Sequence, residues 1–240
     1  MKIKAVLFDK DDTLLDLSAF WWEPAKKLAA FIARSVDRER DLALIAQLEE
    51  AVGFSGNVLL PESPVVAGTN RDILLACART LLIHRGTTED EGFWAECERY
   101  LEYACVRYGE VRETADLKAL FARLRGLGLK LGVVTSDSFA PTMHALKKVG
   151  VADGLDMILT ADRVEHPKPA EDMARLFFEN CGVSAAETVM VGDSANDLRF
   201  AQNSGMAFVL FRPAGDGSEI AAQHKITSLT ELTADFLAAL

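Results

Sequence analysis

The first residues that could do chemistry are two carboxylates near the start of the 240-residue chain, Asp9 and Asp11. The preceding run, from Ile3 to Phe8, is short, apolar and rich in strand-favouring residues, which predicts a buried parallel strand. Because successive side chains of an extended segment point to opposite faces, we expect both carboxylates on one side and Lys10 on the other. Paired carboxylates repel each other unless a metal ion or a proton relieves them. The pair therefore predicts a site for a metal or a proton, and an acidic turn without function is the alternative.

A second apolar stretch ends in acids in the same way, at Asp193 and then at Asp197. Carboxylates and water molecules are the ligands that Mg²⁺ prefers in proteins. We therefore expect Asp193 to join Asp9 around a divalent cation. Asp197 and its neighbour Asn196, at the start of the next helix, are expected in a supporting layer, where Asp197 could hold water ligands or orient a lysine.

Two further positions offer groups suited to binding phosphate. Thr135 ends an apolar strand, and its hydroxyl and the exposed backbone N–H groups there, with Ser136 following, could hold a phosphate. Lys168 stands between two prolines that restrict the backbone on both sides, which predicts a lysine held in a fixed place. Each feature has a simpler alternative, because Thr and Ser often cap helices and Lys-Pro often begins one.

These residues need a scaffold that brings several strand ends together. The second half of the chain alternates between helical and strand patterns. The predicted pairs are helix 117–127 with strand 129–135, helix 141–149 with strand 157–159, helix 169–181 with strand 188–191, and helix 195–204 with strand 207–211. This alternation predicts a parallel sheet with helices on both faces, and such sheets bind ligands at the carboxyl ends of their strands. Ser228 and Glu231 form a capping-box pattern that predicts a last helix reaching Leu240.

The intervening residues 16–114 show helical spacing of apolar residues and no strand pattern. Four helices are predicted, approximately over residues 21–36, 42–52, 70–81 and 93–108, with a proline-containing loop at 57–68. A block of helices between a first strand and later strands is typical of an inserted domain. The sequence thus predicts an α/β core of residues 1–15 and 115–240 and an inserted all-helical domain of residues 16–114.

Composition narrows the choice of partners. The net charge of −10 argues against a nucleic-acid backbone or an anionic membrane as the main partner, and 50% hydrophobic residues are ample for a packed core. The four cysteines have neither metal-ligand nor disulfide-framework spacing. With no signal-peptide pattern and no membrane-spanning stretch, the expected location is the cytoplasm.

The order of these motifs resembles that of a known family. The motifs are Asp9-x-Asp11-x-Thr13, then Thr135, then Lys168, then Gly192-Asp193-x-x-x-Asp197. Together they resemble the four motifs of the haloacid dehalogenase-like hydrolase superfamily, most closely its phosphoglycolate-phosphatase-type group. The resemblance covers the whole chain, because the helical insert matches the helical cap of that family. It implies a Rossmann-like parallel sheet core and a mobile cap that closes over a small phosphorylated metabolite.

The resemblance also implies roles for individual residues. Asp9 would be the nucleophile that accepts the phosphoryl group, and Asp11 would act as acid and then as base. Mg²⁺ would be held by the carboxylates of Asp9 and Asp193 and by the backbone carbonyl of Asp11. The residues expected to contact the phosphoryl group or to brace its loop are Thr13, Thr135, Ser136 and Lys168.

Two features remain outside these motifs. Asp12 stands where the family usually has glycine; aspartate tolerates a positive φ, and its extra charge could alter metal affinity. Thr69 and Arg71 stand at a predicted helix N-terminus, which suits an anionic group of the substrate such as a carboxylate.

The predicted function is that of a Mg²⁺-dependent phosphatase acting on a phosphoglycolate-like substrate or a sugar phosphate. Rival enzymes on the same framework are a sugar phosphomutase, a phosphonate hydrolase and a dehalogenase, of which the last has no use for Asp11. A non-catalytic regulatory protein with a phosphate pocket is a rival of another class. The expected assembly is a monomer or a homodimer.

Overall fold

A computed structural model describes residues 2–86, 89–213 and 220–240. The chain divides into two compact units, the first comprising Met1–Asp16, Glu113–Thr135 and Thr142–Leu240 and the second comprising Leu17–Arg112 and Ser136–Pro141. The limits of the long insert differ by one or two residues from the predicted 16–114. The short segment Ser136–Pro141 was not predicted to belong with the insert. The buried side chain of Asn70 donates a hydrogen bond to Ser138 Oγ at 3.3 Å, which is one contact between this segment and the insert.

The predicted helices and strands occur in their expected order along the chain. The strands are β1 (Ala5–Phe8), β2 (Phe54–Ser55), β3 (Val58–Leu59), β4 (Lys130–Thr135), β5 (Met157–Thr160), β6 (Thr188–Gly192), β7 (Ala207–Phe211) and β8 (His224–Ile226). The α-helices are α1 (Leu17–Ser35), α2 (Leu42–Val52), α3 (Pro64–Ala67), α4 (Asn70–Arg85), α5 (Glu91–Tyr108), α6 (Leu117–Gly126), α7 (Phe139–Val149), α8 (Asp172–Cys181), α9 (Ala195–Asn203) and α10 (Ala234–Ala238). Four of these elements, the short β2, β3, α3 and β8, are additional to the predicted ones.

The first unit contains a six-stranded sheet in the order β5-β4-β1-β6-β7-β8, and all its neighbouring strands are parallel. The predicted α/β, Rossmann-like fold class is therefore confirmed. The first strand lies in the middle, with Phe8 in register with Val133 of β4 and with Val191 of β6. This register brings the carboxyl ends of three strands side by side.

The central strand is held by packing on both faces. All four residues of β1 are fully buried, which explains why its sequence is an unbroken apolar run. Leu7 belongs to a core cluster with Phe177 of α8 and Phe200 of α9. The ring of Phe8 stacks on Phe121 of α6, with centroids 5.6 Å apart. This packing fixes the position of β1 and with it the start of the segment that follows Phe8.

The second unit is built mainly from helices, and α1 packs along α5. The rings of Phe31 and Tyr100 stack with centroids 4.0 Å apart and an interplanar angle of 9°. The expectation that this insert is all-helical is corrected by a short antiparallel hairpin of β2 and β3. Gly53 and Gly56, with φ of 146° and 58°, permit the sharp turns that two such short strands need. Strands of two residues are too short to leave an alternating pattern in the sequence.

The carboxyl-terminal end of the chain also differs from its prediction. The capping box of Ser228 and Glu231 forms, but it begins a 3₁₀ turn at Leu229–Glu231, and the helix itself is the short α10. The strand β8 was not predicted. No helix within the described residues is both long enough and apolar enough to cross a membrane.

The close approach of α8 to the sheet gives a test of this fold. A Cβ added at Gly132 would lie 2.6 Å from Leu7 Cδ2 and 2.7 Å from Phe177 Cε2. We expect Gly132→Ala to lower the free energy of unfolding by about 1–3 kcal/mol, because overpacking moves both neighbours. Gly126→Ala is the matched control, since nothing lies within 4 Å of its added Cβ and alanine favours a helix. Urea unfolding measures both variants, and equal stability of the two would contradict this packing.

Candidate active site

The strand ends of the first unit bring together the acids predicted from sequence. Asp9 directly follows β1, and its backbone N–H donates to Val191 O of β6 at 2.9 Å. Asp193 follows β6. Thr135, the last residue of β4, has only 1% of its surface exposed. The tie between Asp9 and β6 places the two acidic motifs next to each other, as their positions after apolar strands had predicted.

Lys168 links the two acidic motifs through ion pairs. Its Nζ donates to Asp9 Oδ1 at 2.6 Å and to Asp197 Oδ1 at 2.7 Å. All three residues are buried, with exposed fractions of 8% or less. Sequence reasoning offered the orientation of this lysine as one role for Asp197, and the structure places a direct contact there.

Asp197 is itself fixed by the backbone from which it projects. Its Oδ2 accepts hydrogen bonds from Ser194 N at 3.1 Å and Ser194 Oγ at 2.6 Å, forming a capping box at the start of α9. Gly192 leaves room for this arrangement, because a Cβ there would lie 2.6 Å from Asp197 Cβ. Ser194 was missed as a supporting residue, although the Ser-x-x-Asp spacing of a capping box was visible in the sequence.

Three carboxylates within the described residues form a group that could hold a metal ion. One oxygen each of Asp9, Asp193 and Asp197 lies within 4.8 Å of the others. Both carboxylate oxygens of Asp197 accept hydrogen bonds, Oδ1 from Lys168 and Oδ2 from Ser194, so Asp9 and Asp193 are the better candidates for ligands. Hard oxygen donors of this kind fit Mg²⁺. The geometry therefore suits the predicted pair of carboxylate ligands.

Burial and neighbouring charges shift the pKa values of the carboxylates and of Lys168. Burial, and then the charge of Asp197, raise the pKa of Asp9 from 3.8 to about 7, although Lys168 and Lys10 act in the opposite direction. Burial, and then Asp197, Asp9 and Asp12, raise the pKa of Asp193 well above its ordinary value. Burial alone would lower the pKa of Lys168, but Asp197 and Asp9 outweigh it and raise the pKa. The site thus favours a bound cation or extra protons.

The loop after β1 is braced by Thr13. Its buried hydroxyl donates to Asp193 Oδ1 at 3.3 Å, and its carbonyl accepts a hydrogen bond from Thr114 Oγ1 at 2.7 Å. Asp12 adopts a left-handed φ of 53°, as expected for the position where the resembling family has glycine. Thr13 therefore supports the predicted metal site, and its contact with substrate stays a prediction.

The expected alternation of side chains after β1 is wrong at Lys10. The strand ends at Phe8, so the extended geometry does not continue through the acidic motif. Lys10 does not point away from Asp11: its Nζ lies 2.5 Å from Asp11 Oδ1, and the lysine is fully buried. Asp11 keeps 17% of its side chain exposed.

The other four predicted site residues lie at helix N-termini or directly after a strand. Asn196 is buried in the first turn of α9, and Ser136 is half-buried directly after β4. In the second unit, the hydroxyl oxygen of Thr69 caps α4 by accepting a hydrogen bond from Asp72 N at 3.4 Å, and Arg71 is exposed. The predicted contacts of these four residues with substrate, or in a supporting layer, stay predictions.

Comparison with known proteins identifies the family. A model of haloacid dehalogenase-like hydrolases matches residues 3–205. A Dickeya dadantii protein named probable phosphatase IndB is 42% identical over 88 residues, covering 37% of this chain and 38% of that protein. A ribulose-1,5-bisphosphate 5-phosphatase from Halopiger xanaduensis is 26% identical, covering 95% of this chain and 97% of that protein.

Two further relatives are likewise named as phosphatases. A phosphoglycolate phosphatase from Neisseria meningitidis serogroup A is 32% identical, covering 52% of this chain and 56% of that protein. The crystal structure of a HAD phosphatase from Thermococcus onnurineus is 27% identical, with a TM-score of 0.66 over 96% of both chains. The chain belongs to the haloacid dehalogenase-like hydrolase family. The resemblance stated from its motifs, including that to the phosphoglycolate-phosphatase-type group, is confirmed.

The raised pKa of Asp9 predicts how the metal-free protein responds to pH. An acid with a higher pKa in the folded than in the unfolded state stabilises the fold fully below its unfolded pKa, and the effect is lost as pH rises through the folded value. With a shift from 3.8 to about 7, we expect the free energy of unfolding to fall between those two values. Asp9→Asn should flatten this dependence. Urea unfolding in a chelating buffer measures it.

Asp153→Asn provides the control for that measurement. Asp153 is exposed and lies before the amino end of β5, whereas the acidic cluster follows the carboxyl ends of β1 and β6. This variant should keep the pH dependence of the parent protein. A metal-free protein whose stability rises or stays constant over the same pH interval would contradict the charge crowding described for the site.

Proposed function

We propose that the protein is a Mg²⁺-dependent phosphomonoesterase that forms an aspartyl phosphate on Asp9. The observation that carries the proposal is the buried ion-pair network of Asp9, Lys168 and Asp197 beside Asp193 at the strand ends. Membership of a hydrolase family supports it, as do the relatives named as phosphatases.

Asp9 is positioned to act as the nucleophile. The backbone hydrogen bond to Val191 and the contact of Oδ1 with Lys168 fix its carboxylate. One carboxylate oxygen attacks phosphorus while the bond from phosphorus to the ester oxygen breaks, which splits one difficult displacement into two steps. The ammonium of Lys168 offsets the repulsion between this carboxylate and the negatively charged phosphate.

Asp11 is assigned the proton transfers. As a carboxylic acid it gives its proton to the departing ester oxygen, which leaves as an alcohol. As a carboxylate it then takes a proton from the water that attacks the phosphorus of the aspartyl phosphate. That attack breaks the bond between phosphorus and the Asp9 oxygen, releasing inorganic phosphate.

The phosphoryl oxygens need donors at the strand ends. Lys168 supplies a cationic donor, and Thr135 with Ser136 supplies hydroxyl and backbone groups at the end of β4. Asp9, Asp193 and the carbonyl of Asp11 would hold Mg²⁺, which when bound supplies positive charge that offsets the carboxylates and the phosphate. Asp197 and Ser194 keep Lys168 in place.

The proposed substrate is a small phosphorylated metabolite such as phosphoglycolate or a sugar phosphate. The names of two relatives, a phosphoglycolate phosphatase and a ribulose-1,5-bisphosphate 5-phosphatase, support this class. A panel of phosphate esters assayed with Mg²⁺ discriminates among its members. Release of inorganic phosphate separates hydrolysis from the phosphomutase alternative, which would instead yield an isomeric sugar phosphate.

The nucleophile gives the decisive test of the proposed function. The purified protein should hydrolyse p-nitrophenyl phosphate with Mg²⁺, and a chelator should abolish the activity until Mg²⁺ is returned. Asp9→Asn should lower kcat by about a thousandfold or more, because the amide cannot form the covalent intermediate. Asp153→Asn, a change of the same kind at an exposed site, should retain the parent rate. Full turnover by Asp9→Asn would exclude an aspartyl phosphate at this residue.

The hypothesis for Thr69 and Arg71 is tested separately. If they bind an anionic group of the substrate, Arg71→Ala should raise KM several-fold for a substrate with a second acidic group and leave p-nitrophenyl phosphate unaffected. Thr69→Ser keeps the hydroxyl that caps α4, whereas Thr69→Ala removes it. An unchanged KM for the best substrate in both alanine variants would end this hypothesis.

A further inference from the structure

Lys10 is a buried cation that the steps above leave without a role. Its side chain has no exposed surface, and it is among the largest fully buried side chains within the described residues. An ammonium removed from water is costly unless a negative group offsets it. Asp11 Oδ1, at 2.5 Å from Lys10 Nζ, supplies such a group.

Both partners of this ion pair are anchored in the same loop. The carbonyl of Lys10 accepts hydrogen bonds from the backbone N–H groups of Leu14 and Leu15, each at 2.9 Å. Asp11 forms an isolated bridge with Leu15, and Asp12 N donates to Leu15 O at 2.7 Å. The two side chains therefore meet on a closed backbone frame, which limits the positions that the Asp11 carboxyl can take.

We propose that Lys10 is a positioning residue for the phosphoryl-transfer step, holding Oδ1 of Asp11 so that Oδ2 exchanges the proton with the ester oxygen and with water. The inference rests on the proposed function. In the first step the Oδ2–H bond breaks, its proton goes to the departing ester oxygen, and the electron pair stays on Asp11, so the negative charge that offsets Lys10 develops as the proton leaves. In the second step Oδ2 takes one proton from the attacking water.

This role differs from a purely structural one in its dependence on the leaving group. An alkoxide needs a proton as it departs, whereas p-nitrophenolate is a stable anion and departs without one. Misplacing the Asp11 carboxyl should thus slow transfer from an alkyl phosphate much more than transfer from p-nitrophenyl phosphate. A general loss of folding or of phosphate binding would slow both equally.

The test compares Lys10→Met with the parent protein in single turnovers with enzyme in excess and Mg²⁺ present. Release of the alcohol from phosphoglycolate, or from the best alkyl phosphate of the panel, should slow by about a hundredfold. Release of p-nitrophenol should change by less than about threefold, since that step needs little help from an acid. Equal losses on the two substrates, or no loss on either, would overturn the proposal.

A double-mutant comparison shows whether Lys10 acts through Asp11. In an Asp11→Asn background, Lys10→Met should cause no further slowing with the alkyl phosphate, because the group it positions is already gone. Additive losses would mean an independent role and would contradict the proposal. Lys4→Met is the matched control, since it breaks another 2.5 Å ion pair, with Glu187, at an exposed position; it should leave both rates unchanged.

A second variant covers the case in which Lys10→Met does not fold. Lys10→Gln keeps an N–H donor for Asp11 without the charge, so it should show the same substrate selectivity with a smaller loss. Equal slowing of both substrates in this variant would again overturn the proposal. If the parent protein turned over none of the esters, the proposed function itself would be refuted, and this inference with it. If Asp9→Asn abolished activity but substitution of Lys10 changed no rate, this inference alone would be refuted.

Discussion

The balance of buried charge at the strand ends is the constraint on which the site depends. Asp9, Asp193 and Asp197 crowd together around the ammonium of Lys168, so these four residues carry more negative than positive charge when all are ionised. Such an excess is unfavourable in a buried place. The apolar packing of β1, with Phe8 stacked on Phe121 and Leu7 in one core cluster with Phe177, holds the strand that positions Asp9 despite this repulsion. Carboxylates held close together in this way are preorganised to bind a cation.

Several parts of the site serve two purposes at once, which ties its chemistry to its folding. Asp197 caps α9 and pairs with Lys168, so the start of a helix and the position of the lysine depend on one carboxylate. Thr13 likewise joins the loop after β1 to Asp193, and its carbonyl receives Thr114 at the point where the chain returns to the first unit. Local backbone chemistry thus sets the geometry of charged groups that are distant in sequence.

Much of this arrangement could be predicted from the sequence, and the exceptions have physical causes. Two apolar runs ending in acids predicted the meeting of Asp9 with Asp193, because parallel strands align their carboxyl ends. The β2–β3 hairpin was missed because two-residue strands have no detectable period. The contact of Lys10 with Asp11 was missed because it depends on where β1 stops, and side-chain alternation holds only within a strand.

The central place of β1 has a consequence for the chain as it is being made. β1 leaves the ribosome before its two neighbours in the sheet, β4 and β6, which begin only at residues 130 and 188. Until both are made, β1 has unpaired edges and an apolar surface that favour association with other chains. A nascent chain that stops before residue 188 therefore lacks a sheet partner for β1 and the acids that follow β6, so the acidic cluster can form only after β6 is made.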